Sequence, residues 1–179
     1  MANVLNTCAF VERGYGQVEP NHLSAQRTSQ IYAQLPMGVD TLENGQFAKY
    51  NYAEGVVDFA GEGEWMLVYN AVKVYDTDED AADFVMKKPA EGNGPIIGVS
   101  TDVVPRLFKT NVGDIFTTNT IKESLTAEDE GATLYINAAN GYLTKSANSE
   151  AADNAMKWQV VKVYTMPDGQ PGAKIMRIA

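Results

Sequence analysis

Asp76, Asp78 and Asp80 have the most chemically suggestive spacing in the chain. They match positions 1, 3 and 5 of a calcium-binding loop, in which carboxylate oxygens converge on a hard cation. The match ends there. The sixth position is Ala81 where the sharp turn calls for glycine, and the twelfth is Lys87 where the ion calls for a bidentate glutamate. The flanking sequence is strand-like and lacks the two helices of such a site, so a solvated acidic loop is the better account. A second acidic group, Asp58, Glu62 and Glu64, could in principle supply the two carboxylates, about 5–10 Å apart, that glycoside hydrolysis uses. An acidic β protein can produce such a pair by accident, and no sugar-binding aromatic platform stands beside this one.

Nucleophilic templates fail by counting. The chain has one histidine, His22, and one cysteine, Cys8. A serine or cysteine nucleophile would have to use His22 as its base, in the least structured-looking part of the sequence. A Cys/His zinc site cannot be filled from one of each, and no intrachain disulfide can form. Gly61-Glu62-Gly63 lacks both the third glycine and the helix of a dinucleotide-binding fingerprint. The sequence therefore assigns no catalytic residue, no cofactor site and no metal ligand, and the expectation is a protein that is not an enzyme.

The elements around these residues read as mainly β. Trp65-Met66-Leu67-Val68-Tyr69 is apolar without a break, and Val72 and Val74 then alternate with Lys73 and Tyr75. That pattern predicts a core strand running out toward solvent. Glu43-Asn44-Gly45 predicts a turn before a strand over 46–50 with Phe47 facing in, and a short strand follows over 56–60. A strand over 82–87 would point Phe84 and Met86 one way, and another is expected over 96–99. Further on, Ile115 and Ile121 are expected on one face, with Phe116 on the other. Asn140-Gly141 predicts a hairpin over 134–145, because such turns need positive φ. A short helix is expected over 149–157 with Ser149 as its cap, then a strand over 158–166 returning over 173–178. Phe47, Trp65 and Trp158 read as core residues. Over 23–35 the pattern is ambiguous between helix and strand.

Residues 1–36 are rich in Asn, Gln, Ser and Thr and read as a partly extended, polar N-terminal arm. Residues 37–91 form a first β region, and residues 92–179 a second with a C-terminal hairpin. The expected architecture is short antiparallel strands in one or two small barrels or sandwiches.

At 179 residues, 45% hydrophobic and 21% charged, the chain can bury a real core. Its net charge of −9, from 23 acids and 14 bases, argues against nucleic acid as a partner, since phosphate binding needs a basic footprint. No apolar run approaches the roughly 18 residues that cross a bilayer, so no membrane partner is expected. The first residues carry no signal-peptide pattern, which points to synthesis and retention in the cytoplasm unless the protein leaves inside a larger particle.

Several phrases together carry a resemblance. They are Gly16-Gln17-Val18-Glu19, Leu23-Ser24-Ala25-Gln26-Arg27-Thr28-Ser29-Gln30-Ile31-Tyr32-Ala33-Gln34-Leu35-Pro36, Leu42-Glu43-Asn44-Gly45-Gln46-Phe47, Gly63-Glu64-Trp65-Met66-Leu67-Val68-Tyr69-Asn70, Pro105-Arg106-Leu107-Phe108-Lys109 and Gly113-Asp114-Ile115-Phe116-Thr117-Thr118-Asn119. From about residue 16 to the end, the chain resembles the auxiliary or decoration (cement) proteins of tailed-bacteriophage heads. The resemblance implies a non-enzymatic β protein on the outside of the virion, partnered by the lattice of the major capsid protein and open to homo-oligomer formation. In that picture residues 1–36 dock and the β regions form the exposed body, so removing residues 1–30 is expected to abolish attachment while sparing the β signal. The competing readings are a β-rich carbohydrate- or receptor-binding module on a virion or cell surface, and a carboxylate-dependent hydrolase using Glu62 or Glu64.

Overall fold

A computed structural model describes residues 16–70, 85–87, 103–147, 156–167 and 169–179. The elements are β1 (Val18–His22), a one-turn helix α1 (Ala25–Thr28), β2 (Ile31–Tyr32), β3 (Thr41–Glu43), β4 (Phe47–Asn51), β5 (Val56–Asp58), β6 (Met66–Val68) and β7 (Val85–Lys87). They continue with β8 (Leu107–Phe108), β9 (Ile115–Thr118), β10 (Thr133–Ile136), β11 (Leu143–Thr144), β12 (Trp158–Thr165) and β13 (Pro171–Arg177). The fold is mainly β, as the sequence predicts.

Six strands form one antiparallel sheet in the order β1-β9-β13-β12-β10-β11, and five form a second in the order β2-β8-β6-β4-β5. β3 and β7 make a separate two-stranded ladder. Of the two expected architectures, the sandwich is the one observed. The strand orders do not close into a barrel, and the two large sheets share one core. Phe47, Leu67 and Phe108 from the five-stranded sheet pack with Phe116, Leu134, Ile136, Trp158, Val160 and Ile175 from the six-stranded one. Trp158 is at the centre, with its ring 5.4 Å from that of Phe47 and 5.1 Å from that of Phe116.

The unbroken apolar run at 65–68 has a direct explanation. β6 lies inside its sheet, between β4 and β8. Trp65 and Leu67 enter the main core, while Met66 and Val68 enter a second cluster on the opposite face with Met37, Leu42, Tyr50, Val57 and Leu107. A strand covered on both faces has no reason to alternate. β4 follows the same rule, with Phe47 in one cluster and Ala48 and Tyr50 in the other.

Residues on either side of position 92 share these sheets. β8 pairs with β6, and β9 pairs with β1. Within residues 16–36, β1 joins the six-stranded sheet, β2 pairs with β8, and Val18, Leu23 and Ala25 are buried in the main core. Deleting residues 1–30 would remove a strand and three core side chains, so the β signal is expected to fall with such a truncation. The ambiguous stretch at 23–35 contains both forms in succession. α1 ends at Ser29 in the left-handed conformation, φ 59°, and β2 follows.

Both expected hairpins are present, with Ile136 opposite Leu143 and Val160 opposite Ile175. One placement differs from expectation. Phe116 faces the main core, but Ile121 packs against that same core. β9 ends at Thr118, so period two no longer governs position 121. The expected strand at 96–99, positions 149–155 of the expected helix, positions 71–76 of the strand expected after Trp65, the acidic loop with Asp76, Asp78 and Asp80, and Cys8 lie outside the described residues; Met156 and Lys157, the last two positions of that expected helix, are not helical. Within the stretch 82–87 the described backbone is a strand over Val85–Lys87.

Candidate functional site

Acidic side chains are the chemistry-bearing groups of this fold, and their positions decide what they can do. Asp58 is the last residue of β5 and bonds to the loop that follows and to the end of β4. Its Oδ1 accepts the amides of Ala60 and Gly61 at 2.9 and 2.7 Å, and its Oδ2 accepts Asn51 Nδ2 at 2.8 Å. Glu64 lies at the surface, where Oε1 meets Arg177 Nη1 at 3.2 Å and Oε2 meets Lys109 Nζ at 3.9 Å. The same Arg177 guanidinium donates to the Thr110 carbonyl, which ties the C-terminal strand to the segment before β9. Glu62 is exposed. His22, also exposed, has its Nε2 3.5 Å from Arg27 Nη2. Asp58 and Glu64, two of the three sequence candidates for carboxylate chemistry, therefore brace the chain.

Two carboxylates that sequence reasoning did not single out are much more deeply placed. Glu43, 7% exposed at the end of β3, accepts the Gly16 amide on Oε2 and the Tyr142 hydroxyl on Oε1, both at 2.6 Å. Its own amide donates to Gln46 Oε1 at 2.7 Å, and Gln46 Nε2 donates to the Asn140 carbonyl at 2.9 Å. Thr120 Oγ1 donates to the Asn44 carbonyl at 2.7 Å. Gly16, the β3–β4 turn, Thr120 and the β10–β11 hairpin thus meet at one buried polar junction. The local signal was only a turn, because the partners are 27 and 99 positions away.

Asp114, 2% exposed, makes a second junction. Its Oδ1 accepts the Ser24 amide at 2.9 Å, and its Oδ2 accepts Ser24 Oγ at 2.9 Å and the Asn111 amide at 2.8 Å. Ser24 precedes α1 but makes no capping bond of its own, and Asp114 takes that hydroxyl instead. Asn119 supplies a third tie. It accepts the Gln17 amide at 2.7 Å and donates to Gln170 at 2.9 Å.

The outward face of the six-stranded sheet carries a fourth polar group. The Tyr164 hydroxyl donates to Glu19 Oε2 at 3.0 Å and lies 2.7 Å from Thr117 Oγ1, which itself donates to Asn21 at 2.9 Å. Burial pushes the Tyr164 phenol above its ordinary pKa. The Thr117 contact pulls it down, and the hydrogen bond and negative charge of Glu19 raise it.

One edge of that sheet is β1, which carries Pro20 and a register break between Glu19 and His22. A proline and a bulge both discourage a further strand from adding there. Large apolar side chains on the surface are scattered. Among the described residues Tyr52 is the most exposed of them at 73%, on the β4–β5 turn, and its ring rests 5.6 Å from that of Tyr50. Among the described residues no three His, Cys, Asp or Glu side chains converge as a metal site, and no helix is long and apolar enough to cross a membrane. No family model, curated protein or solved structure matches the chain.

Proposed function

We propose that this chain is a non-enzymatic virion protein that binds the outer surface of a phage head and stabilises or decorates it. The observation that supports this most is the use made of the carboxylates. Glu43, Asp58, Glu64 and Asp114 each bind backbone amides, hydroxyls or cations that hold the body together. Such a body suits repeated docking on a lattice, where many modest contacts gain by avidity. The partner in this reading is the major capsid protein, as the resemblance to decoration proteins implies, and the protein is made in the host cytoplasm before joining the capsid surface. Tyr52 is the described side chain best suited to anchor such a contact, because it is exposed and tyrosine is enriched among the residues that carry binding energy.

Co-sedimentation of the purified protein with heads that lack it tests the reading. Binding should saturate at a copy number set by one class of lattice position. Tyr52→Ala should lower occupancy while costing the fold no more than its ring contact with Tyr50, about 0.5–1.5 kcal/mol. Failure of the folded protein to bind heads overturns the proposal.

A further inference from the structure

The fold assembles a cleft that the sequence did not foreshadow. Gln26 of α1, Ile31 of β2, Tyr69 after β6, and Arg106 and Phe108 at β8 surround a volume of ≈ 340 Å³ open to solvent. The Tyr69 ring lies 5.4 Å from that of Phe108, and the Arg106 guanidinium sits over Phe108 at 5.4 Å.

The backbone that carries these groups is fixed. The Tyr69 amide donates to the Arg106 carbonyl at 3.1 Å, the Arg106 amide to Asn70 Oδ1 at 2.8 Å, and the Asn70 amide to Asn44 Oδ1 at 2.7 Å. Arg106 is exposed, and among the described residues no carboxylate pairs with it, although the chain carries a net charge of −9. Arg177 and Lys109, in contrast, both meet Glu64.

We infer that this cleft binds an acidic sugar unit, a hydroxylated ring bearing a carboxylate. Arg106 presents a planar fork suited to a bidentate carboxylate contact. Tyr69, half-buried and tilted against Phe108, lines the same cleft and is the aromatic group that a pyranose ring would meet there. Gln26, exposed on α1, supplies an amide for ring hydroxyls. An acidic peptide would satisfy Arg106 as well, but a volume of ≈ 340 Å³ walled by Gln26, Ile31 and Tyr69 suits a single ring better than an extended chain. The site does not depend on the capsid role, and the two readings fail separately.

The test is titration of the full chain with glucuronate, glucose and acetate, followed by NMR. Glucuronate should shift the amide signals of Tyr69, Arg106 and Phe108. It should bind about tenfold or more tighter than glucose or acetate, the difference expected of one charge-assisted bidentate contact. Arg106→Gln should erase the preference for glucuronate over glucose. Gln26→Ala, a surface change with no effect on the fold, should weaken both sugars severalfold. If Arg106→Gln does not fold, the contrast among wild-type ligands and the Gln26→Ala variant still decide the matter. The inference is overturned if glucuronate leaves those signals unmoved, if acetate binds as tightly, or if a glutamate-rich peptide occupies the cleft and glucuronate does not.

Discussion

The Tyr142 hydroxyl donates a 2.6 Å hydrogen bond to Glu43 Oε1 across 99 positions of sequence. The other oxygen of the same carboxylate holds the Gly16 amide. One buried acid thus joins the start of the described chain, the β3–β4 turn and the β10–β11 hairpin.

Removing that acid takes away the acceptor of the buried Gly16 amide and of one Tyr142 hydroxyl bond. Glu43→Ala is expected to cost about 3 kcal/mol, because bonds to a charged acceptor are among the stronger ones and an orphaned buried donor adds its own penalty. Tyr142→Phe should cost about 1–2 kcal/mol. In a double-mutant cycle by urea unfolding the two changes should be clearly less than additive. Additive losses would mean that the contact contributes nothing.

Gly141 combines two demands. Its φ is 69°, and a Cβ there would fall on the Phe47 carbonyl oxygen. The Gly141 carbonyl also accepts the Phe47 amide at 2.8 Å. A backbone obstacle cannot swing aside as a long side chain can. Gly141→Ala should therefore cost more than the roughly 1 kcal/mol of left-handed strain alone, with about 3 kcal/mol expected once overpacking is added. Gly55→Ala, also at positive φ but with open space around it, should show the strain term only. Comparing their thermal midpoints tests the argument.

Asp114 holds Ser24 through both amide and hydroxyl. Asp114→Ala should destabilise by about 3 kcal/mol, and Ser24→Ala, which keeps the amide bond, by about 1 kcal/mol. Amide exchange should rise first in α1 and β2, the elements that Ser24 leads into.

Tyr164 gives a pH dependence of definite sign. The phenol is held above its ordinary 10.0 in the folded state, mainly by burial. The folded form therefore binds the proton more tightly than the unfolded chain. The associated stability is complete below pH 10 and is lost as pH rises through the folded value. Thermal midpoints measured across that window should fall less steeply in Tyr164→Phe than in the wild type. The opposite limb belongs to Asp129, which is held below its ordinary value first by the Thr126 amide and then by Lys145. Its contribution is present above that ordinary value and is lost as pH falls through the depressed one.

The class of the fold and both local hairpins were legible in the sequence because their causes are local. Asn140-Gly141 marks a turn, and Trp158 opens a long strand that Pro171–Arg177 can answer within a few residues. Phe47, Trp65 and Trp158 were recognisable as core by size and apolarity alone, and all three are buried. The pairing of β1 with β9 and of β2 with β8 was not legible, because nothing in either member of a pair names the other. The same distance hid Glu43 and Asp114, whose partners lie on remote segments. It also hid the cleft of Tyr69, Arg106 and Phe108, which exists only where β6 and β8 lie side by side. Gly141 shows the division within one residue. The sequence determined that a turn needs it, since the left-handed backbone is a local steric matter. Only the tertiary structure decided that β4 would pass so close that no other side chain fits.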